Sequence, residues 1–183
     1  MHFSRFFYSL VAARAPRTIS ERRITHIVSV CTDPIPADVP AGGIKQLRIP
    51  VEDVDYVDLL IHFPAACRFI HQAIAEGGTV LVHCNQGLSR SAAVVAAYVS
   101  TSTAPRLLVD RILTGSVFQL MAARQLSAAD AQDVVRRARE QVWINPGFQE
   151  QLVLWGICQY NVTPDNGVYK KWRMKIDSTL QRS

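Results

Sequence analysis

Val80-Leu81-Val82-His83-Cys84-Asn85-Gln86-Gly87-Leu88-Ser89-Arg90-Ser91 decides how this chain is read. An apolar, β-branched run stops at a cysteine, an arginine and a hydroxyl follow, and a helix-forming run continues from Ala92 to Tyr98. This strand–loop–helix order puts a thiol inside a loop whose N–H groups, from Asn85 through Arg90, can converge on one anion. Gly87 lets the loop bend at low steric cost. Arg90 can hold two oxygens of a phosphate in a bidentate fork, which a lysine cannot do. Attack needs a thiolate, and helix N-termini and neighbouring cations lower thiol pKa values to about 3.5–7.5 in reactive sites. The loop is therefore expected to bind phosphate, with Cys84 as nucleophile. Ser91 would assist departure of the sulfur. His83, at the end of a buried strand, is expected to brace the loop from behind. The bland alternative is a buried cysteine and a solvated arginine that happen to lie five residues apart.

The spacing Cys-x5-Arg-Ser after His83 resembles the signature of cysteine-dependent protein phosphatases, and HCNQGLSRSAAVVAAY (residues 83–98) is similar to their dual-specificity branch. That resemblance implies a phosphoric monoester hydrolase of signalling type. It would act on a phosphorylated protein through a phosphocysteine intermediate, with no metal or cofactor. The resemblance also implies a general acid on a loop. In Ile49-Pro50-Val51-Glu52-Asp53-Val54-Asp55, which resembles the family's acid loop, the match selects Asp53. Asp55 is the runner-up. Asp58 reads as a cap of the next helix and Glu52 as a solvated carboxylate. For any one carboxylate in a turn, capping is the commoner role.

Strand-like Ile24–Val30, Ile44–Val51 and Thr79–His83 alternate with helical periodicity from Leu59 to Ile74, where Pro64 should lie in the first turns or kink the helix. Ser127-x-x-Asp130 predicts a capping box opening a helix over 128–142, and Asn145-Pro146 a cap and first-turn proline opening one over 147–160. The expected fold is α/β: a central, largely parallel sheet of about four to five strands flanked by helices, with the phosphate loop between the central strand and a helix. The ending Val142-Trp143-Ile144-Asn145-Pro146-Gly147-Phe148-Gln149-Glu150-Gln151-Leu152 adds to the family resemblance. Within the branch, the chain resembles the serine/threonine/tyrosine-interacting proteins, whose animal members lack the cysteine and act as binding modules. Here Cys84, Arg90 and Asp53 stand together, so that inactivity does not carry over. A catalytically impaired module that binds phosphorylated partners remains the alternative.

Two departures stand out. The family places a strand and turn before the segment matching Phe7–Leu10, so the sheet is expected to be short of an edge strand. About twenty-one residues, 99–119, interrupt the family pattern after Tyr98. Val-Ser and Phe-Gln at its ends can be encoded GTGAGT and TTTCAG, as at intron boundaries. The segment is thus either a retained intron or a true insertion with a helix at Arg106–Leu113.

The chain has 183 residues, 49% hydrophobic, which suits one domain, expected at 1–165 with a basic tail at 166–183. No membrane span is expected. Met1–Pro16 has some signal-peptide character, countered by Arg14 and Arg17. The net charge of +5 concentrates in Arg136–Arg139 and Lys170–Lys175. These read as solvated faces, since only Trp172 offers the aromatic interleaving that nucleic-acid binding needs. The four cysteines show no C-x-x-C pair and no zinc spacing, pointing to a reducing compartment, cytoplasm or nucleus. Cys67 and Cys158 read as core. Cys31 ends the first long strand, and the family resemblance implies that it can trap oxidised Cys84 as a disulfide. Phosphoinositide or RNA phosphatases are disfavoured because Asn85, Gln86 and Leu88 are uncharged. Small tyrosine phosphatases and arsenate reductases place C-x5-R near the N-terminus, and rhodaneses use a shorter loop.

Overall fold

The computed structural model describes residues 7–8, 16–33, 43–101 and 126–182. Four parallel strands form one sheet: β1 (Phe7–Tyr8), β2 (His26–Ser29), β3 (Lys45–Arg48) and β4 (Val80–His83), in the order β1-β4-β2-β3. Around it lie helices α1 (Pro16–Glu21), α2 (Phe63–Ala75), α3 (Arg90–Ser100), α4 (Ala128–Ala138), α5 (Pro146–Ile157) and α6 (Gly167–Leu180). Strand number, parallel pairing and the β4–loop–α3 unit match the expectation. β2 and β4 are buried along their whole length because they occupy the middle of the sheet and are covered on both faces. β3, at the edge, is largely exposed.

Register positions the site. Ser29 lies beside His83, and the N–H of Val30 donates to the carbonyl of His83 at 2.8 Å. The carboxyl ends of β2 and β4 thus finish side by side, with Cys31 next to the loop that begins at Cys84. Leu60–His62 makes one 3₁₀ turn before α2, and Pro64 sits in the first turn of that helix, where no backbone hydrogen bond is lost. Gly77, at φ +77°, ends α2 in a conformation that only glycine adopts cheaply.

α3 is the central helix. Ala92, Ala93, Ala96 and Ala97 are fully buried, and these small side chains let α2, α4 and α5 approach it closely. Trp155 fills the space beneath, edge-on to Phe63 with ring centroids 5.7 Å apart, its indole N–H donating to the carbonyl of Ala97 at 3.1 Å. Cys67 and Cys158 are buried among these side chains, as expected, and burial pushes the Cys67 thiol up to about 12.

Three boundaries differ from the sequence reading. α4 has its capping Ser127, whose Oγ accepts from the N–H of Asp130 at 3.2 Å, but it stops at Ala138 rather than Val142. Arg139 there turns extended and donates to the carbonyl of Gly87 at 3.2 Å, exchanging helix propagation for a contact with the phosphate loop. α5 is capped by Asn145, whose Oδ1 accepts from Phe148 N–H at 2.8 Å, and ends at Ile157, before the left-handed Gln159 and Tyr160. Residues 167–180, expected within a basic tail, are a helix. Its Trp172 is only 4% exposed, and the Tyr169 hydroxyl donates to Asp58 Oδ2 at 2.6 Å. Tyr169 and Ile176 pack on the core beside it, and Arg173 and Lys175 pair with Asp58 and Glu150, so the basic side chains share a helix that is anchored, and Trp172 is withdrawn from the surface. Residues 102–125, holding most of the 99–119 segment and the helix expected at Arg106–Leu113, lie outside the described residues. Among the described residues no helix is long and apolar enough to cross a membrane.

Candidate active site

β4 delivers His83 and Cys84 to the end of the sheet, and α3 begins six residues later. Both residues are buried. His83 Nε2 and Ser29 Oγ lie 2.7 Å apart, which ties the loop's entry to β2. The sulfur of Cys84 accepts a hydrogen bond from the Gly87 N–H at 3.2 Å and lies 3.2 Å from Ser91 Oγ. Gly87 reaches this geometry at φ +73°, in the left-handed region. Asn85 and Gln86 are exposed at the rim, Leu88 is half-buried, and Ser89 and Arg90 are buried.

Ser89 precedes α3 but does not cap it with its side chain. Its hydroxyl donates instead to Asp53 Oδ1 at 2.6 Å. The first-turn N–H groups of α3 are therefore left without a side-chain acceptor at the end where the helix dipole is positive. Arg90 Nη1 donates to the Val51 carbonyl at 3.0 Å, fixing the guanidinium against the acid segment. Arg90 Nε is buried without a hydrogen-bond partner, and the nearest opposite charge is Asp53 Oδ2 at 3.6 Å. A buried guanidinium N–H left unsatisfied is costly.

Asp53 is thus the carboxylate that meets the phosphate loop. Asp55, the runner-up, makes no side-chain hydrogen bond or ion pair among the described residues, and Glu52 is exposed. Asp58 caps the 3₁₀ turn, accepting from the Ile61 N–H at 3.1 Å, as expected. It also anchors α6 through Tyr169, whose hydroxyl pKa is pushed up to about 12 by burial and by this carboxylate.

Sequence reasoning missed what holds Asp53. Asn145 was legible only as a helix cap. Its Oδ1 does cap α5, while its Nδ2 donates to Asp53 Oδ1 at 2.7 Å and its backbone N–H donates to Ser89 Oγ at 3.2 Å. Gln151, fully buried, accepts the N–H groups of Leu59 and Leu60 at 2.8 Å each and donates to the Val57 carbonyl at 2.8 Å. Gly147 lies so close to the Asp55 backbone that a Cβ would fall 2.5 Å from Asp55 Cα. The start of α5 therefore clamps the whole acid segment at three points. The ending 142–152 had stood out only as a family-like run, with no role assigned to these side chains. The backbone N–H of Trp143 also donates to the Leu88 carbonyl at 3.2 Å, joining that ending to the phosphate loop.

Cys31 is buried at the end of β2. Burial, with the charge of Asp33, pushes its thiol pKa up, so at neutral pH it is a protonated thiol. The four cysteines are all free. Among the described residues no group of three or more His, Cys, Asp or Glu side chains is arranged to hold a metal ion.

Comparison with known proteins agrees with this arrangement. Residues 6–104 match the family model described as "Dual specificity phosphatase, catalytic domain", the match ending inside the 99–119 segment. Dual specificity protein phosphatase 12 of Mus musculus is 32% identical over 165 residues, which cover 90% of this chain and 42% of that protein. The chain thus spans less than half of that relative's length. Dual specificity phosphatase 28 of Homo sapiens is 36% identical over 150 residues, 81% of this chain and 72% of that protein. The crystal structure of human DUSP28 superposes with a TM-score of 0.66 at 31% identity, covering 87% of this chain and 96% of that one. The human tyrosine phosphatase-like serine/threonine/tyrosine-interacting protein, the subgroup noted from sequence, matches with lower figures: TM-score 0.57, 25% identity, 78% and 83% coverage. With a C-x5-R loop at the carboxyl end of an internal parallel strand, and with these relatives, the chain belongs to the dual specificity phosphatase family.

Proposed function

We propose that this chain hydrolyses phosphotyrosine, and phosphoserine or phosphothreonine, in protein substrates through a phosphocysteine intermediate. One observation carries the reading: at the two ends of one loop, Cys84 Sγ takes the Gly87 N–H and lies beside Ser91 Oγ, and the buried, unpartnered Nε of Arg90 faces the Asp53 carboxylate. Cys84 attacks phosphorus in line, forming the S–P bond as the P–O bond to the leaving oxygen breaks. Arg90 and the N–H groups from Asn85 through Arg90 hold the non-bridging oxygens as charge moves onto them. Asp53, protonated, gives its proton to the departing oxygen. It then takes a proton from the water that attacks phosphocysteine, and Ser91 hydrogen-bonds the leaving sulfur. Ser89 and Asn145 aim the Asp53 carboxylate, and His83 keeps the loop in place.

Phosphate release from phosphotyrosine and phosphoserine peptides tests the reading. Cys84→Ser should abolish it and Asp53→Asn should lower kcat by about 10²–10³-fold, in the range for loss of a general acid. Activity unchanged in Cys84→Ser would remove the cysteine from the mechanism.

The position of Cys31 supports a redox role. Peroxide converts the Cys84 thiolate to a sulfenic acid, and the Cys31 thiol then displaces water to form a Cys31–Cys84 disulfide, reversible by thiol reductants. Peptide mapping after peroxide should recover the linked pair, and its absence would exclude the role. Four free, buried cysteines favour a reducing compartment, cytoplasm or nucleus. We place the catalytic unit within 1–165, with 99–119, a retained intron or a true insertion, interrupting the family pattern after Tyr98.

A further inference from the structure

A groove of about 580 Å³ opens beside the active site, between the acid segment and the last helix. Asp55 and Tyr56 of the acid segment, Pro146 and Glu150 of α5, and Ile176 and Leu180 of α6 line it. The walls are apolar yet open: Tyr56 is 48% exposed and Leu180 44% exposed. Asp55, without a side-chain hydrogen bond or ion pair among the described residues, stands at the rim. Among the described residues the Glu150 carboxylate pairs with the exposed Lys175, at 3.3 Å, a surface pair worth little and easily exchanged. A chain of net charge +5 thus carries, next to its phosphate nest, an acidic-rimmed slot lined by aromatic and aliphatic side chains.

Position links the slot to the reaction. The segments that bring Asp53 and Asn145 together continue directly into it, Asp55 lying two residues after Asp53 and Gly147 two after Asn145. Extended chain spans at most about 3.3–3.6 Å per residue, so the groove begins about two residues' reach from the phosphorylated side chain. α6 supplies one wall, and it lies outside the matched family model.

We propose that this groove selects substrates by a basic side chain, arginine or lysine, within about two residues of the phosphorylated one. The aliphatic stem would lie on Tyr56, Ile176 and Leu180, and the cationic head would meet Asp55 and Glu150. The phosphate and the basic side chain of one peptide would then engage sites of opposite sign, Arg90 and the groove rim. This inference rests on the phosphatase reading of the adjacent site.

Two phosphotyrosine peptides, identical except for arginine or glutamate at the flanking positions, test it on the full chain. The ratio of their kcat/KM values is the readout, so changes in basal activity cancel. The arginine peptide should be favoured by about 3- to 10-fold, the scale of one partly screened charge pair with its apolar stem. The preference should fall to near unity in Glu150→Arg and, as an independent variant, in Asp55→Asn. No preference in the unaltered chain, or a preference that survives both substitutions, overturns the groove. Binding of the same two peptides, followed by fluorescence anisotropy, separates the two readings. If neither is hydrolysed yet arginine still tightens binding, the groove stands and the catalytic reading falls. If both are hydrolysed equally, the reverse holds.

Discussion

Replacing Gly147 by alanine should disconnect the acid from the nucleophile without touching the phosphate loop. A Cβ at position 147 would sit 2.5 Å from both Cα and the carbonyl carbon of Asp55. Carbon–carbon contacts are optimal at about 3.5–4.0 Å, so the acid segment must retreat by about 1 Å or more. The obstacle is backbone and cannot rotate away. Asp53, two residues upstream, would be drawn off the hydroxyl of Ser89 and the amide of Asn145 that aim it. A displacement near 1 Å costs on the order of 10²-fold where geometry governs rate. The loss should depend on the leaving group. Phosphoserine and phosphotyrosine peptides need the proton and should lose about 10- to 100-fold in kcat. p-Nitrophenyl phosphate leaves readily without protonation and should lose only a few-fold, and vanadate, which reads the loop alone, should bind as before. Overpacking of about 1–3 kcal/mol should also lower the melting temperature. Equal losses for both leaving groups, or no loss for the peptides, would refute the reasoning that α5 positions the acid.

The remaining expectations concern stability. Trp155→Ala empties the space under α3 and removes the hydrogen bond to Ala97, so urea unfolding should show a loss of about 3–5 kcal/mol. Tyr169→Phe deletes a hydrogen bond to the Asp58 carboxylate and should cost about 1–2 kcal/mol, with faster amide exchange confined to α6. Burial holds both His26 and His62 below the ordinary histidine value of 6.5, so the unfolded chain binds these protons first as pH falls. Their contribution is fully present above about pH 6.5 and is lost as pH drops toward the folded values, so the melting temperature should decline between pH 7 and 5. A melting temperature that rises over that interval would contradict the assignment.

The strand–loop–helix unit was legible because its pattern is contiguous: strand, cysteine, glycine, arginine and helix follow one another within Val80–Tyr98. Only family register singled out Asp53, the carboxylate that meets Ser89 and Arg90, since composition does not separate it from Asp55 or Asp58. Its supports were not legible at all. Asn145 lies 92 residues away and its local role as a cap fully explained its presence. Gln151, equally distant, looked like one more polar residue on a helix whose apolar residues run all round. α4 stops short because Arg139 finds a carbonyl of the phosphate loop, a tertiary contact that overrides an otherwise helical pattern. α6 was passed over for its charge: Lys170, Lys171, Arg173 and Lys175 dominate the segment, although Tyr169, Trp172 and Ile176, which pack on the core, stand at helical spacing.

The most direct test of the central claim is covalent. Ser91→Ala protein, which keeps Asp53 for the first step but lacks the hydroxyl that helps the sulfur leave, should be mixed with a radiolabelled phosphotyrosine peptide, quenched and digested. The label should appear on the peptide containing Cys84 and vanish when Cys84→Ser is added. Label on another residue, or turnover in the Cys84→Ser chain, would contradict a mechanism that runs through the sulfur at the mouth of this loop.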